Sequence, residues 1–141
     1  MKKQILFFLT LAAISFTTRS QSQPLYFQWA AAFQGNSTST PRSLAVCPNG
    51  DVLSTGSFSD TVDFDPGPGI AEVTTIDYQF GDLFVARLDA SGNYVNAFGI
   101  GGIDEQDEGN NILTDAQNNV YSAGFFITRP TLTLPHSTLL T

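Results

Sequence analysis

A repeat with an offset of 68 residues constrains the fold of this chain more than any other feature of its sequence. Residues 44–58 (LAVCPNGDVLSTGSF) align without a gap on residues 112–126 (ILTDAQNNVYSAGFF). Four positions carry identical residues in the two copies: Val52 and Val120, Ser54 and Ser122, Gly56 and Gly124, Phe58 and Phe126. A fixed period indicates that one structural unit is built twice and that each unit relies on its neighbour to bury apolar surface.

Three short turn sequences share one template, at residues 47–52 (CPNGDV), 89–94 (DASGNY) and 115–120 (DAQNNV). The fourth residue of each is Gly50, Gly92 or Asn118. A type I turn that closes through a bulge needs positive φ at this position, which glycine adopts freely and asparagine tolerates. An apolar residue then restarts the chain, so we predict three hairpin tips.

The segments between these turns are typical of β-strands. They are short and rich in Phe, Val, Thr, Ser and Gly, and no helical period is sustained. The predicted strands are residues 27–33, 43–46, 51–58, 83–89, 94–100, 112–114 and 119–126. An aromatic-rich strand that runs into glycine precedes each copy, at 26–35 and 94–102, which suggests four strands per repeat. The offset exceeds the usual ~40–50 residues, and we attribute the excess to an inserted loop at residues 60–81.

An all-β fold built from four-stranded antiparallel units at such a period is typical of β-propeller blades, since one small sheet must stack on neighbours to bury both its faces. We predict about one and a half blades in the repeat region 23–141, with blade one over about 27–89 and a partial blade two over about 94–141. Propellers close with about 4–8 blades. We therefore expect an N-terminal fragment whose remaining blades belong to the full-length protein; a ring assembled from several copies is the alternative.

The first 22 residues have the pattern of a secretory signal peptide. Lys2 and Lys3 precede an apolar run over residues 5–16 and a small polar stretch over 17–20. A membrane span needs about 20 apolar residues, so this run is too short to be one. We expect an extracytoplasmic protein, secreted or at the cell surface, without a membrane span in the mature chain.

Removal of residues 1–22 would leave three arginines against 13 acidic residues, a net charge of −10. Such a chain repels phosphate backbones and anionic membrane surfaces. Nucleic acid is therefore excluded as an expected partner, and an extracellular protein or glycan is favoured.

Several short phrases together resemble the bacterial β-propeller repeat family often labelled SBBP. They are Gly101-Gly102, the turn at 89–93, the Gly-x-Phe phrases at 56–58 and 124–126, the phrase DFDPG at 63–67, and the strand DLFVARLD at 82–89. The resemblance covers about residues 28–126. It departs from the family at Cys47-Pro48, where the family prefers aspartate, and at 29–33, where a lysine is missing. The resemblance implies a bacterial secreted repeat protein.

A loop rich in aspartate is the one candidate for a metal site. Asp60, Asp63 and Asp65 precede residues 66–69 (PGPG), and three carboxylates in a tight loop can supply oxygen ligands to Ca²⁺. The spacing is not that of an EF-hand loop. The simpler interpretation is an exit from a strand in which Asp and Pro set the turn, so calcium stays a hypothesis and no metal residue is assigned.

The remaining reactive or charged residues are interpreted structurally. Cys47, the only cysteine, fits a small residue at a turn, and His136 lacks a context for catalysis with it. The acidic run at 104–108 (DEQDE) is interpreted as a solvated loop, with binding of a cation or a basic partner as the alternative. Seven aromatic residues are predicted to form the core between blades rather than a platform for sugars: Trp29, Phe33, Phe58, Phe84, Phe98, Phe125 and Phe126.

The sequence therefore assigns no catalytic, cofactor-binding or metal-ligating residue. It favours a noncatalytic secreted or cell-surface β-propeller module that scaffolds or recognises an extracellular macromolecule. The alternative is a fragment of an extracellular propeller enzyme that acts on glycans. A fold alone does not decide between them.

Overall fold

A computed structural model describes residues 24–103, 106–127 and 131–135. The predicted signal peptide and His136 lie outside these residues. The described part of the chain contains β-strands and turns and no helix, which confirms the all-β prediction. Its strands are β1 (Gln34–Gly35), β2 (Ser39–Val46), β3 (Val52–Phe58), β4 (Thr61–Asp63), β5 (Glu72–Thr74), β6 (Asp82–Leu88), β7 (Tyr94–Gly101), β8 (Glu108–Thr114), β9 (Val120–Phe125) and β10 (Thr131–Thr133).

The main sheet has five antiparallel strands in the order β10-β7-β6-β3-β2. A three-stranded sheet, β1-β4-β5, and a two-stranded hairpin, β8-β9, complete the described strands. None of these three sheets closes on itself. The architecture is thus several packed antiparallel sheets.

The 68-residue repeat is visible in the backbone of the β2–β3 and β8–β9 hairpins. β2 has a bulge between Pro41 and Ser43, and β8 has one at the equivalent place, between Gly109 and Asn111. In the partner strand, a Cβ on Gly56 would lie 2.0 Å from the carbonyl oxygen of Thr40. Gly124 meets the equivalent oxygen of Glu108 at 2.1 Å. The glycine of each Gly-x-Phe phrase is therefore required because a bulged strand passes against it.

The three predicted hairpin tips are confirmed. The φ angles of Gly50, Gly92 and Asn118 are 91°, 87° and 64°. In each tip the first residue donates its N–H to the carbonyl of the fifth, and the fourth donates to the carbonyl of the first, at 2.8–3.2 Å. The template read from the sequence thus describes one hydrogen-bonding pattern used three times.

The strand predicted at 27–33 is wrong, because residues 24–33 form no strand. The equivalent segment of the second repeat is β7, and it pairs with β6 in the main sheet. That sheet therefore extends one strand beyond the 27–89 boundary, and among the described residues, which begin at 24, no strand precedes the first segment for it to pair with. The strand that follows it is β1, which pairs antiparallel with β4 as β7 pairs with β10.

One face of the main sheet is covered by the insertion, and we call it the insertion face (Phe58, Phe84 and Ala86). Residues 60–81 were predicted as a loop, but they contain the β4–β5 hairpin, which adds Val62, Phe64 and Val73 to this core. The rings of Phe64 and Phe84 lie 5.0 Å apart, and Phe33 packs on both. Offset aromatic contacts of this kind stabilise a core beyond the area that they bury.

The opposite face is covered by the second repeat, and we call it the repeat face (Leu53, Leu83 and Val85). Ile112 on β8 packs against these side chains and against Cys47, which is a buried free thiol. β8 also crosses β2, where the Ile112 N–H donates to Ser43 Oγ at 3.3 Å. The second repeat thus stacks face to face on the first.

Candidate functional site

The β8–β9 hairpin has an apolar surface that the other described residues leave uncovered. Its outward side chains are Leu113, Tyr121 and Phe125, each more than half exposed, and we call them the outer face. Ile112, which points the other way, is 2% exposed. All of β9 is exposed, so the hairpin is buried only along the inward side of β8, and its outward side is exposed and apolar.

The repeat explains which surface this is. Tyr121 is the equivalent of Leu53, and Leu113 is the equivalent of Ala45, so the outer face of the second repeat corresponds to the repeat face of the first. Leu53 is 1% exposed because β8 lies on it, whereas Tyr121 is 57% exposed. The outer face is thus a surface of the kind that receives a β-hairpin elsewhere in the same molecule.

A second open surface lies at the β2 edge of the insertion face. Leu44 and Val46 are 68% and 65% exposed. Leu44 lines a groove of about 330 Å³ with mainly apolar walls that include Phe33, Pro41 and Val52. Leu44 is the equivalent of Ile112, the side chain that docks the second repeat on the first. We call Leu44 and Val46 the docking edge.

A separate cleft of about 420 Å³ lies between residues 65–69, residues 91–94 and Trp29. The Trp29 indole N–H donates to the carbonyl of Ala90 at 3.1 Å, and its ring lies against Gly92. Asp65 is the one carboxylate among the residues that line the cleft, and its Oδ1 already accepts the Gly67 N–H at 2.7 Å. The cleft therefore lacks the pair of carboxylates that most glycoside hydrolases use.

The structure does not assemble the predicted aspartates into a metal site. Asp63 Oδ1 accepts the N–H groups of Asp65 and Ala71, at 3.0 and 2.9 Å. Within the described residues no group of three His, Cys, Asp or Glu is placed to hold a metal ion. The hydrogen bonds of Asp63 and Asp65 are those of a turn, and they support the simpler interpretation of this loop.

The acidic run at 104–108 is not the solvated loop that the sequence predicts, at least at its last two acids. Asp107 is buried, and its Oδ1 accepts the Ile127 N–H at 3.3 Å. Glu108 begins β8 and forms an ion pair of 2.8 Å with Arg42 on β2. These acids help to join the two repeats, while Asp104 and Glu105 lie outside the described residues.

Sequence reasoning also missed Asp82, which is fully buried at the start of β6. One of its oxygens accepts the Ile76 N–H at 3.0 Å. Burial raises the pKa of this carboxyl to about 6, against the lowering effect of the Ile76 hydrogen bond, and the charges of Asp107 and Asp77 raise it further. The aspartate was read as the first residue of a strand, and nothing local in the sequence marks its burial.

The acids at two hairpin tips have the opposite behaviour. Asp89 accepts hydrogen bonds from the side chain and backbone of Asn93 and from the Ser91 N–H, and these lower its pKa. Asp115 has the same partners in Asn119 and Gln117, with the same effect. Both carboxylates act as acceptors that order their own turn.

The predicted aromatic core is only partly observed. Phe58 and Phe84 are buried, and Phe33 and Phe98 are partly buried and pack against the two cores. Phe125 and Phe126 are instead exposed, and Trp29 lines the cleft. The prediction fails at the second repeat because no further sheet covers those rings in the described part of the chain.

Comparisons with protein-family models, with curated proteins and with solved structures found no match. The described residues also contain no helix long and apolar enough to cross a membrane. The class that the fold itself defines is an all-β protein of stacked antiparallel sheets, and any finer assignment is a proposal.

Proposed function

We propose that this chain is a noncatalytic, secreted or cell-surface β-repeat module of the propeller-blade type, which scaffolds or recognises an extracellular macromolecule. One observation carries the proposal: the β8–β9 hairpin stacks on the repeat face of the first sheet and leaves its own equivalent face open. A surface of this kind is expected of a module whose work is done by stacking and binding.

Polar contacts fix how the two repeats stack. Arg42 and Glu108 form their ion pair across β2 and β8, and the Ile112 N–H bonds to Ser43 Oγ. Gly109 allows β8 to approach β3 closely, since a Cβ there would lie 2.1 Å from Thr55 Oγ1. Together these contacts select one register for the hairpin, which a purely apolar contact would not.

The secreted location and the family rest on the sequence. The basic, apolar and polar stretches of residues 1–22 support export. The glycine-rich phrases and the hairpin tips support a relationship to the SBBP-type bacterial repeats. The single carboxylate of the cleft favours the noncatalytic module over the enzyme that acts on glycans.

The stacking is tested by a double-mutant cycle across the interface. Ile112→Ala and Leu83→Ala are each expected to lower the free energy of unfolding by ~2–4 kcal/mol, because each leaves a cavity in one core. Since the two side chains share that core, the double variant is expected to lose less than the sum of the single losses, by ~0.5 kcal/mol or more. Urea unfolding of the full chain measures all four free energies.

A matched pair provides the control. Ile70→Ala replaces an exposed side chain outside both cores, and it is expected to show no coupling with Leu83→Ala. Strict additivity of Ile112→Ala and Leu83→Ala would contradict the stacked module. Sequencing the amino terminus of the exported chain tests the signal peptide, and release of reducing ends from a panel of polysaccharides would overturn the noncatalytic assignment.

A further inference from the structure

We propose that a second copy of this chain docks head to tail, with the docking edge of one copy (Leu44 and Val46) seated on the outer face of the other (Leu113, Tyr121 and Phe125). The inference rests on the proposed function, because it extends the stacking seen within the chain to contact between chains. It names the occupant of the outer face as another repeat of the same kind.

The contact inside the chain provides the template. Ile112 on β8 packs against a surface formed by β2, β3 and β6, and most of the approach of β8 is to β2 and β3. The equivalents of β2 and β3 in the second repeat are β8 and β9, which are both present and carry the outer face. The equivalent of Ile112 in the first repeat is Leu44. One chain therefore displays the docking half of this contact at Leu44 and, on the outer face, the part of the receiving half that β2 and β3 supply, without the Leu83 and Val85 of β6.

Among the described residues, neither half is covered. Leu44 is largely exposed whereas its equivalent Ile112 is buried, and Tyr121 is exposed whereas its equivalent Leu53 is buried. Docking would place Leu44 and Tyr121 in the buried environment that Ile112 and Leu53 already occupy. Burial of apolar area is the main favourable term in such an association.

Charge also permits the contact. The internal interface has Arg42 opposite Glu108. The equivalent positions on the two open surfaces are Asn110 and Thr40, so the second contact would be neutral there and free of repulsion between like charges. The whole chain is acidic, with a formal net charge of −7, so two copies repel at long range. Salt screens such repulsion, and we expect association to strengthen as ionic strength rises.

A head-to-tail contact has a distinctive symmetry. It joins two different surfaces, so a pair of copies leaves one docking edge and one outer face free and further copies can add. Contact between two outer faces would be self-complementary and would stop at a dimer. The two arrangements predict different results for variants that are mixed.

The test is sedimentation velocity of the exported full chain over a range of concentrations, with two variants. Leu44→Asp removes the docking edge and keeps the outer face, and Tyr121→Asp does the reverse. Each variant alone is expected to sediment as a monomer, with association weakened at least about tenfold. An equimolar mixture is expected to form a dimer of one copy of each, because one intact edge then meets one intact face.

Ile70→Asp is the matched control, since Ile70 is exposed but lies on neither surface, and it should associate like the unmodified chain. Circular dichroism and urea unfolding verify that each variant folds. A monomeric unmodified chain at all concentrations and salt levels would overturn the inference, and so would a mixture of the two variants that fails to dimerise. Loss of association in Tyr121→Asp but not in Leu44→Asp would instead indicate contact between outer faces and would also overturn it.

Failure of this inference can be told apart from failure of the proposed function. If Ile112 and Leu83 are coupled but copies do not associate, the stacked module stands and the partner of the outer face is not this chain. If the coupling is also absent, both fail.

Discussion

The β3 strand of the first repeat and the β9 strand of the second have similar sequences and opposite surroundings. Phe58 closes β3 and is 1% exposed, whereas its equivalent Phe126 follows β9 and is 37% exposed. β3 pairs with β2 and β6, and both faces of its sheet are covered. β9 pairs with β8 in a two-stranded sheet. The comparison teaches that burial in a repeat protein is decided by the neighbours of a strand and not by its own residues.

The polar residues follow the same rule. Asp107 sits in a run of acids that would be solvated in an isolated loop, yet it is buried just before β8, where its N–H donates to the carbonyl of Gly81. Its equivalent in the first repeat is Ser39, which is partly exposed at the start of β2. The second repeat has been adapted on the side that meets the first.

The largest expected effect comes from truncating the two equivalent phenylalanines. Phe58→Ala should lower the free energy of unfolding by ~3–5 kcal/mol, because it opens a cavity beside Phe64 and Phe84. Phe126→Ala should cost less than ~1 kcal/mol, because its ring is partly solvated. Urea unfolding of both variants measures the difference. Equal losses would show that Phe126 is covered in solution by something that the chain itself supplies or recruits.

Local features of the fold could be predicted from the sequence. The hairpin tips depend on residues within four positions of each other, and Gly50, Gly92 and Asn118 report the needed φ directly. Six of the seven predicted strands exist, because the alternation of side chains is a local pattern.

Features that depend on distant partners could not be predicted. Residues 27–33 have a strand-like composition but lack the neighbour that β7 finds in β6. The sequence predicts a loop for the insertion because β4 and β5 have only three residues each, too few to show an alternating pattern. These strands cover Phe84 and do not extend the main sheet. The outer face was missed because Phe125 looks like a core residue when it is considered within its own strand.

The hairpin tips offer a second comparison, of intermediate size. Gly92→Ala should lower stability by ~1–2 kcal/mol, because φ is 87° there and a Cβ would lie 2.9 Å from the Trp29 ring. Asn118→Gly should be neutral or stabilise by less than ~1 kcal/mol, because the same left-handed conformation suits glycine better than asparagine. Thermal unfolding of the two variants gives the sign of each change. Destabilisation by Asn118→Gly would show that the Asn118 side chain has a role beyond its backbone.

Buried and exposed acids should respond oppositely to pH. The pKa of Asp82 is raised from 3.8 to about 6, with Asp107 and Asp77 contributing. The folded state therefore binds this proton more tightly than the unfolded state, and stability from this group falls as pH rises from about 4 to 6. The pKa of Asp89 is lowered, so its contribution is lost only as pH falls below the unfolded value of 3.8.

Melting temperatures at pH 5 and pH 7 isolate the buried acid. The difference in melting temperature between the unmodified chain and Asp82→Asn should favour the unmodified chain more at pH 5 than at pH 7. At pH 7, Asp82→Asn should have the higher melting temperature of the two. Asp115→Asn is the control, because the lowered pKa of Asp115 lies outside this pH interval. Parallel pH dependence in the unmodified chain and Asp82→Asn would show that the carboxyl is solvated in solution.

The smallest expected effect is at the ion pair that joins the repeats. Arg42 is 43% exposed and Glu108 is 23% exposed, so solvent screens much of their attraction. A double-mutant cycle with Arg42→Gln and Glu108→Gln should give a coupling free energy of ~0.2–1 kcal/mol. The coupling should be smaller in 0.5 M salt, because the Debye length there is roughly half of its value at physiological ionic strength. Arg87 and Asp51, an ion pair within the main sheet with both side chains less exposed, provide the comparison, and their coupling should be larger and less sensitive to salt. If the Arg42 pair were instead the stronger of the two, polar contacts would contribute more than expected to holding the second repeat on the first, and the contact between copies, which has Thr40 and Asn110 in place of this pair, would be weaker than the internal one.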